Sequence, residues 1–440
     1  MKIRSIDAIQ VLDSRGVPTV EAAVSLDDGV VGKAIVPSGA STGTHEAWEL
    51  RDAGSKRFGG RSVGTAVENV RGEIATRLRG CDVFDQSAVD QLLISLDGTP
   101  NKSRLGANAV LAVSMATCAA AAAARRQPLF EYLGGGHGNL LPMPEIQIIG
   151  GGRHAGQAID VQDFMITTIG AMSFGECLEI ATDVYRKTGE VLRRYGKLIG
   201  VADEGGYWPQ VACHDEVFEI ILQSITEAGY TPGKDVSLSL DIAATDLYDG
   251  DRYHLRSEGK SFSSNQFSDL VLKWTRQYPI VSLEDPLSED DWEGWQRLTA
   301  TLGQDVQLIG DDVFTTNVAR IERGIVDGVA NSVLIKLNQI GTVSETIEAI
   351  KLTQSCGRLP VISARSGETE DTFISHLAVA FNAGQLKVGS IVRGERTAKW
   401  NEVLRIERIL GDRARFASGS PCDRLRGSPD KAGPSRPLKA

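Results

Sequence analysis

Apolar and polar residues alternate along IRSIDAIQVLD and again along PTVEAAVSLDDG, the two-residue period of half-buried strands, with DSRG as the turn between them. VVGKAIVPSG reads as a third strand that runs into a polar loop, PSGASTG, Pro37 to Gly43. The period then lengthens. SVGTAVENVRGEIATRLRG, DQSAVDQLLISLDG and the alanine-rich run Ala107–Ala124 read as helices. Together these segments predict a small α+β unit over residues 1–135, with LLPMPE, carrying Pro142 and Pro144, as the crossover into a second unit at about residue 140.

From there one theme repeats. A run that is apolar throughout stops at a polar residue or a small one, and an amphipathic stretch follows. VSLSLD stops at Asp241, PIVSLE at Glu284, VQLIGD at Asp311, NSVLIK at Lys336, PVISA at Ala364 and GQLK at Lys387. The stops are 43, 27, 25, 28 and 23 residues apart, the length of a strand, a helix and two loops. Strands without alternation are buried on both faces, as parallel strands are. Six such units predict a βα barrel, whose chemistry sits at the C-terminal ends of its strands. An open doubly wound sheet fits less well, because there is no GxGxxG loop. The barrel unit is expected over 140–412, and the Arg-, Pro-, Ser- and Gly-rich residues 413–440 are expected to be a tail that is disordered or loosely laid on the surface.

Composition narrows the function. The chain has 440 residues, 47 basic against 57 acidic, for a net charge of −10. That speaks against nucleic acid or a membrane surface as the partner. The start lacks the apolar run of a secretory signal, and the six cysteines are scattered with no CxxC pair. A cytoplasmic enzyme without disulfides is expected.

In a barrel, neighbouring strand ends converge, so Asp241, Glu284 and Asp311 would crowd one point. Taken singly, such an acid is more often a helix cap or a loop hydrogen-bonder. Three in register call for a hard divalent cation, Mg²⁺ above all. Lys336 and Lys387 end two further strands. Each is either a base whose pKa neighbouring cations depress or a salt-bridge partner of the same acids. Glu204, in the glycine-rich ADEGGYWP, is a candidate acid opposite the lysine or a loop cap. Arg365 and Ser366 are suited to grip an anion. The PSGASTG loop is either a lid or a plain turn. His154, beside three glycines in IGGGRHAG, is structural or functional with equal claim. A metal, a lysine base and an acid point to removal of a proton next to a carboxylate.

Long motifs now carry a resemblance: LDSRGVPTVE, PSGASTGTHEAWELRD, NKSRLGANAVLAVSMA, DEGGYWP, SLEDPLSEDDW, GDDVFTTN, LIKLNQIGTVSET, RSGETED and AKWNEVLRIE. From about Ile3 to Leu410 the chain closely resembles the enolase (phosphopyruvate hydratase) family. A lysine base working with Mg²⁺ is the arrangement already established for that superfamily. The resemblance implies an N-terminal β3α4 domain followed by a modified (β/α)8 TIM-type barrel. It implies Mg²⁺ on Asp241, Glu284 and Asp311, and a second Mg²⁺ reached by Ser41 of the loop. Lys336 would be the general base, Glu204 the general acid and Lys387 the contact to the substrate carboxylate. Arg365 and Ser366 would hold the phosphate, with His154 and Asp163 among the substrate-binding residues. A phosphorylated or phosphonylated carboxylic acid substrate and a homodimer or larger assembly follow from the same resemblance.

Several positions depart from the family. Ala364 stands where the family has histidine, Asp163 where it has glutamate, and Gly150 where it has asparagine. Trp208 replaces a preferred alanine and Val17 an asparagine. The metal ligands and base are intact, while the leaving-group or phosphoryl end is altered. The expectation drawn from this is a specialised paralogue forming carboxyphosphonoenolpyruvate, as in phosphonate or phosphinothricin-type biosynthesis, with space at Ala364 and Gly150 for a bulkier phosphorus group. Phosphopyruvate hydratase and a non-catalytic binding protein on the same fold are the alternatives.

Overall fold

The structure is a computed structural model that describes residues 1–39 and 43–427. The candidate metal ligand Ser41 and residues 428–440 therefore lie outside the described residues.

The N-terminal unit is a meander of β1 (Ile3–Leu12), β2 (Pro18–Leu26) and β3 (Val31–Ile35), all antiparallel. The Asp13 carboxylate closes the first turn by accepting from the amides of Arg15 (2.8 Å) and Val17 (2.9 Å). Val20, Ala22, Val24 and Leu26 form the buried face of β2. The sheet packs on α1 (Ala107–Ala124), and the alanines there have a physical reason. A Cβ on Gly32 of β3 would lie 2.1 Å from the Ala120 amide nitrogen, so strand and helix backbones touch. This helix is the one among the described residues long and apolar enough to cross a membrane, and 83% of it is buried inside the fold.

The second unit is a closed barrel of eight strands: β4 (Met143–Gly150), β5 (Asp163–Thr167), β6 (Ser237–Asp241), β7 (Ile280–Glu284), β8 (Gln307–Gly310), β9 (Ser332–Ile335), β10 (Leu359–Ser363) and β11 (Gln385–Gly389). Closure comes from β11 pairing with β4, Gln385 opposite Met143 and Lys387 opposite Glu145. The six repeat units read from spacing are β6 to β11. Spacing missed β4 and β5 because they form an antiparallel pair joined by residues 151–162, with no long helix between them. β5 is antiparallel to β6 as well, and the remaining neighbours are parallel. Two helices, Phe174–Arg194 and His214–Glu227, flank a ribbon of Leu198–Val201 and Tyr207–Pro209 before β6 begins.

The expected disordered tail begins too early. Arg415–Phe416 pairs in parallel with Leu140–Leu141, and Pro421–Leu425 forms a short helix. Ala414, Phe416, Ala417 and Cys422 are buried, and Arg424 Nη2 donates to Gln385 Oε1 at 2.8 Å. A few apolar residues spaced among polar ones suffice, because the chain lies along an existing surface and adds to it.

Candidate active site

Each strand stop from β6 to β10 delivers its residue to one mouth. Asp241 and Glu284 are the last residues of β6 and β7, and Asp311, Lys336 and Ala364 each follow their strand by one position. Lys387 lies inside β11 and is long enough to reach the same place. Its Nζ donates to Asp241 Oδ2 (2.8 Å) and Glu284 Oε2 (2.7 Å) and stands 3.9 Å from Asp163 Oδ2. Lys336 Nζ donates to Asp311 Oδ2 at 2.5 Å.

These contacts fix the electrostatics. Burial pulls the Lys387 ammonium down, but the surrounding carboxylates outweigh it and hold the group well above its usual value. Burial also pulls Lys336 down, and the carboxylates around it, Asp311 foremost and then Glu284, together raise it above its usual value. This is the salt-bridge alternative for Lys336, and a base role requires a cation to neutralise the charge on Asp311. Glu284 is pushed well above the carboxylate range, first by burial and then by Asp241. Its Oε1 is buried and has no hydrogen-bond partner.

That orphaned oxygen is the test for a metal, since among the described residues the tight groups of possible ligand atoms are His154–Asp163–Glu204 and Asp285–Asp311–Asp312, while Lys387 Nζ stands between Asp241 and Glu284. A buried acceptor without a donor is costly, and a hard cation with oxygen preference satisfies it. The chemistry of Glu284, with Asp241 and Asp311 as further oxygen donors at the mouth, suits such an ion, once it takes the place that Lys387 Nζ holds between Asp241 and Glu284.

On the other side of the mouth, His154 Nδ1 is 3.3 Å from Asp163 Oδ1, and its Nε2 is 4.0 Å from Glu204 Oε1. Burial lowers the imidazole pKa, but Asp163 and Glu204 raise it more, to about 9. Asp163 is lowered in turn: burial raises it, and the His154 charge, the Lys387 charge and the hydrogen bonds from His154 and Gln147 together outweigh burial. His154, Asp163, Glu204, Asp241, Lys336, Ala364, Arg365, Ser366 and Lys387 line one small cavity of about 20 Å³.

Arg365 is already engaged. Nη1 donates to Glu46 Oε2 and Asn338 Oδ1, both at 2.9 Å, and Nη2 to Glu46 Oε1 at 3.1 Å. Glu46 comes from the N-terminal unit, which caps the mouth. Ser38 and Gly367 exchange backbone hydrogen bonds at 2.8 and 2.9 Å, and Arg15 Nη1 donates to Ser366 Oγ at 3.2 Å. Only glycine fits at 367, since a Cβ there would lie 2.2 Å from Asp13 Oδ2. Ala364 is buried, and its amide donates to the Lys387 carbonyl at 2.9 Å, tying β10 to β11.

Five residues of the site escaped the sequence reading. Gln162 Nε2 donates to Asp241 Oδ2 (3.0 Å), and Gln339 Nε2 to Asp311 Oδ1 (2.7 Å). Glu46 and Asn338 hold Arg365, and Gln147 Nε2 donates to Asp163 Oδ1. Gln162 and Gln339 stand close in sequence to Asp163 and Lys336, a signal that was available. Gln147 gave none, because its strand was not read.

Comparison with known proteins agrees with this geometry. The family model described as enolase, N-terminal domain, matches residues 3–133, and that of the enolase C-terminal TIM barrel domain matches residues 138–424. Enolase 1 of Desulfitobacterium hafniense (strain Y51) is 53% identical over 420 residues, which is 95% of this chain and 96% of that protein. The chain belongs to the enolase family. It is an enolase-superfamily enzyme, of a family that uses Mg²⁺ and acts on a small phosphorylated carboxylic acid.

Proposed function

We propose that this enolase dehydrates 2-phosphoglycerate to phosphoenolpyruvate and water. One observation carries the reading: a lysine and a glutamate, Lys336 and Glu204, line one compact cavity together with Arg365, Ser366 and Lys387. Lys336 Nζ, once unprotonated, takes the proton from C2, and the electron pair shifts toward the carboxylate. Hydroxide then leaves C3 and takes a proton from the Glu204 side, where charged His154 supports the departing group. Arg365 and Ser366 hold the phosphate, and Lys387 counters the substrate carboxylate. When bound at Asp241, Glu284 and Asp311, Mg²⁺ neutralises the carboxylates that keep Lys336 protonated and stabilises the negative charge that builds on the substrate carboxylate. Ser41 remains the proposed ligand of a second ion. The test is formation of the enol phosphate from 2-phosphoglycerate with Mg²⁺, followed by ultraviolet absorbance. Absence of turnover overturns the reading.

A second reading, synthesis of carboxyphosphonoenolpyruvate, is favoured by the methyl of Ala364 where the family has a histidine. Its other argument loses support. A Cβ on Gly150 would lie 2.5 Å from the Ala202 Cβ, so residue 150 leaves no free space for a larger phosphorus group. A three-carbon acid bearing carboxyphosphonate, offered beside 2-phosphoglycerate, separates the two. Turnover of the bulkier acid alone selects the second reading. Under that reading Ala364→His also raises hydratase activity while leaving the native reaction no faster.

An assembly of copies completes the proposal. The outer ribbon strand carries Ile199 and Val201 at 54% and 44% exposure, an apolar sheet edge that a second chain would cover. Light scattering on the purified protein tests it, and a monomer at micromolar concentration overturns it.

A further inference from the structure

Two of the departures from the family, Gly150 and Asp163, are cross-strand partners: Gly150 of β4 sits opposite Asp163 of β5. A third residue of β4 joins them. Gln147 is fully buried, donates through Nε2 to Asp163 Oδ1, and accepts through Oε1 from the Gly206 amide at 2.8 Å. One side chain thus fastens the acid that holds His154 to the loop that carries Glu204.

The space around that amide is closed. A Cβ on Gly206 would lie 2.6 Å from Gln147 Oε1. A Cβ on Gly150 would lie 3.4 Å from Gln147 Nε2 and 2.5 Å from the Ala202 Cβ. Gly206 cannot carry a side chain while the amide keeps its place, whereas at Gly150 it is the Ala202 methyl that closes the space and the amide lies at ordinary contact distance. Asp163 is one methylene shorter than the glutamate expected there, so its carboxylate stops closer to β5. The residue bridging to it from β4 must be correspondingly long, and glutamine is.

We propose that Gln147 is a positioning residue for the Asp163–His154 pair, and that Gln147 and Asp163 form one matched unit in which a long amide reaches a short acid across the two strands. On this view the short acid at 163 and the long amide at 147 are not losses. They preserve the placement of His154 Nδ1 against Asp163 (3.3 Å) by a different division of length between the two strands. Gln147 touches no substrate and acts through Asp163. The inference rests on the enolase reading for its kinetic consequence, though not for its geometry.

Gln147→Asn shortens the amide, Asp163→Glu lengthens the acid, and the double variant exchanges one methylene for the other. Each single change is expected to lower kcat for 2-phosphoglycerate by roughly 10- to 100-fold with KM changed by less than about 3-fold, the result of a misplaced reacting group. The double variant is expected to return to within about 5-fold of the wild type, a coupling that independent sites do not show. Losses that multiply in the double variant, or single variants as active as the wild type, overturn the proposal. A fall in KM performance that tracks lowered Tm, without rescue, also overturns it. A second readout needs no turnover. In the Mg²⁺-loaded protein with ¹⁵N-labelled histidine, the His154 ring resonances, identified by their loss in His154→Gln, are expected to move in Gln147→Asn and to return in the double variant. Unmoved resonances overturn the proposal. If the wild type fails to turn over 2-phosphoglycerate, the enolase reading falls and this spectrum alone decides the inference.

Discussion

Two glutamates inside the same barrel behave differently. Glu145 on β4 and Glu284 on β7 are both fully buried, and burial raises both. Glu145 lies in the layer beneath the mouth and is satisfied at both oxygens, by Gln385 Nε2 (2.7 Å) and Ser239 Oγ (3.3 Å). Gln385 is held in turn by Gln307 Nε2 (2.7 Å) and by Arg424 (2.8 Å) from the C-terminal segment. Glu284, at the mouth, shares its Oε2 with Lys387, stands against Asp241, and leaves Oε1 with no partner. A completed polar network fixes structure, whereas an incomplete one beside a second carboxylate marks a place built for another charge. Burial alone does not distinguish them, because both are equally hidden.

Substitutions can break this contrast, the largest effect first. Lys336→Ala removes the proposed base, and kcat should fall roughly 10²- to 10⁴-fold, the range for general-base loss, with the Tm of the Mg²⁺-loaded protein, in which the ion neutralises Asp311, nearly unchanged. A steady-state assay and a melting curve check both halves, and a fall in Tm matching the fall in rate would move Lys336 into the structural class.

Glu284→Gln removes a ligand and an unpaired charge together. Mg²⁺ affinity by titration calorimetry should drop at least about tenfold, while the metal-free protein should melt no lower than the wild type, since a neutral amide is cheaper to bury beside Asp241. Glu145→Gln has the opposite profile, with metal affinity retained. Equal metal loss in both variants would erase the distinction between the layers.

Arg424→Met cuts the lower network at its outer end. Stability to urea should fall by about 1.5 kcal/mol, the value of a hydrogen bond to a charged group, with kcat within about threefold of the wild type. An unchanged midpoint would return residues 413–427 to the expected loose tail.

The smallest effect concerns pH. The folded-state pKa of His154, about 9, lies above the unfolded value near 6.5, so the stability it contributes is complete below 6.5 and is lost as pH rises through 9. The Tm of the metal-free protein should decline over that window, and the decline should flatten in His154→Gln. A decline of the same size in that variant would assign it to other groups.

Much of the site was legible because its residues share a position in a repeat. Asp241, Glu284, Asp311 and Lys336 each end a strand, and in a barrel strand ends meet. Charge also stands out in an apolar run, so these residues announced themselves. The glutamines did not. Gln147, Gln162 and Gln339 carry no charge and fit no period, and each matters only because of the acid it faces. Nor could the state of Lys336 be read, since its pKa depends on a carboxylate 25 positions away in the chain that lies 2.5 Å away in space.

By itself, then, the order of residues determined the family, the barrel from β6 onward, the three acids and two lysines at its mouth, and the vacancy at Ala364. These are properties of local pattern, which survive without knowledge of distant contacts. Only the tertiary structure decided that β4 and β5 complete the barrel as an antiparallel pair, that residues 413–427 pack against it, and that Gly150 is filled space rather than an opening. Each of these depends on what another part of the chain places nearby, and steric room and charge are set by those neighbours.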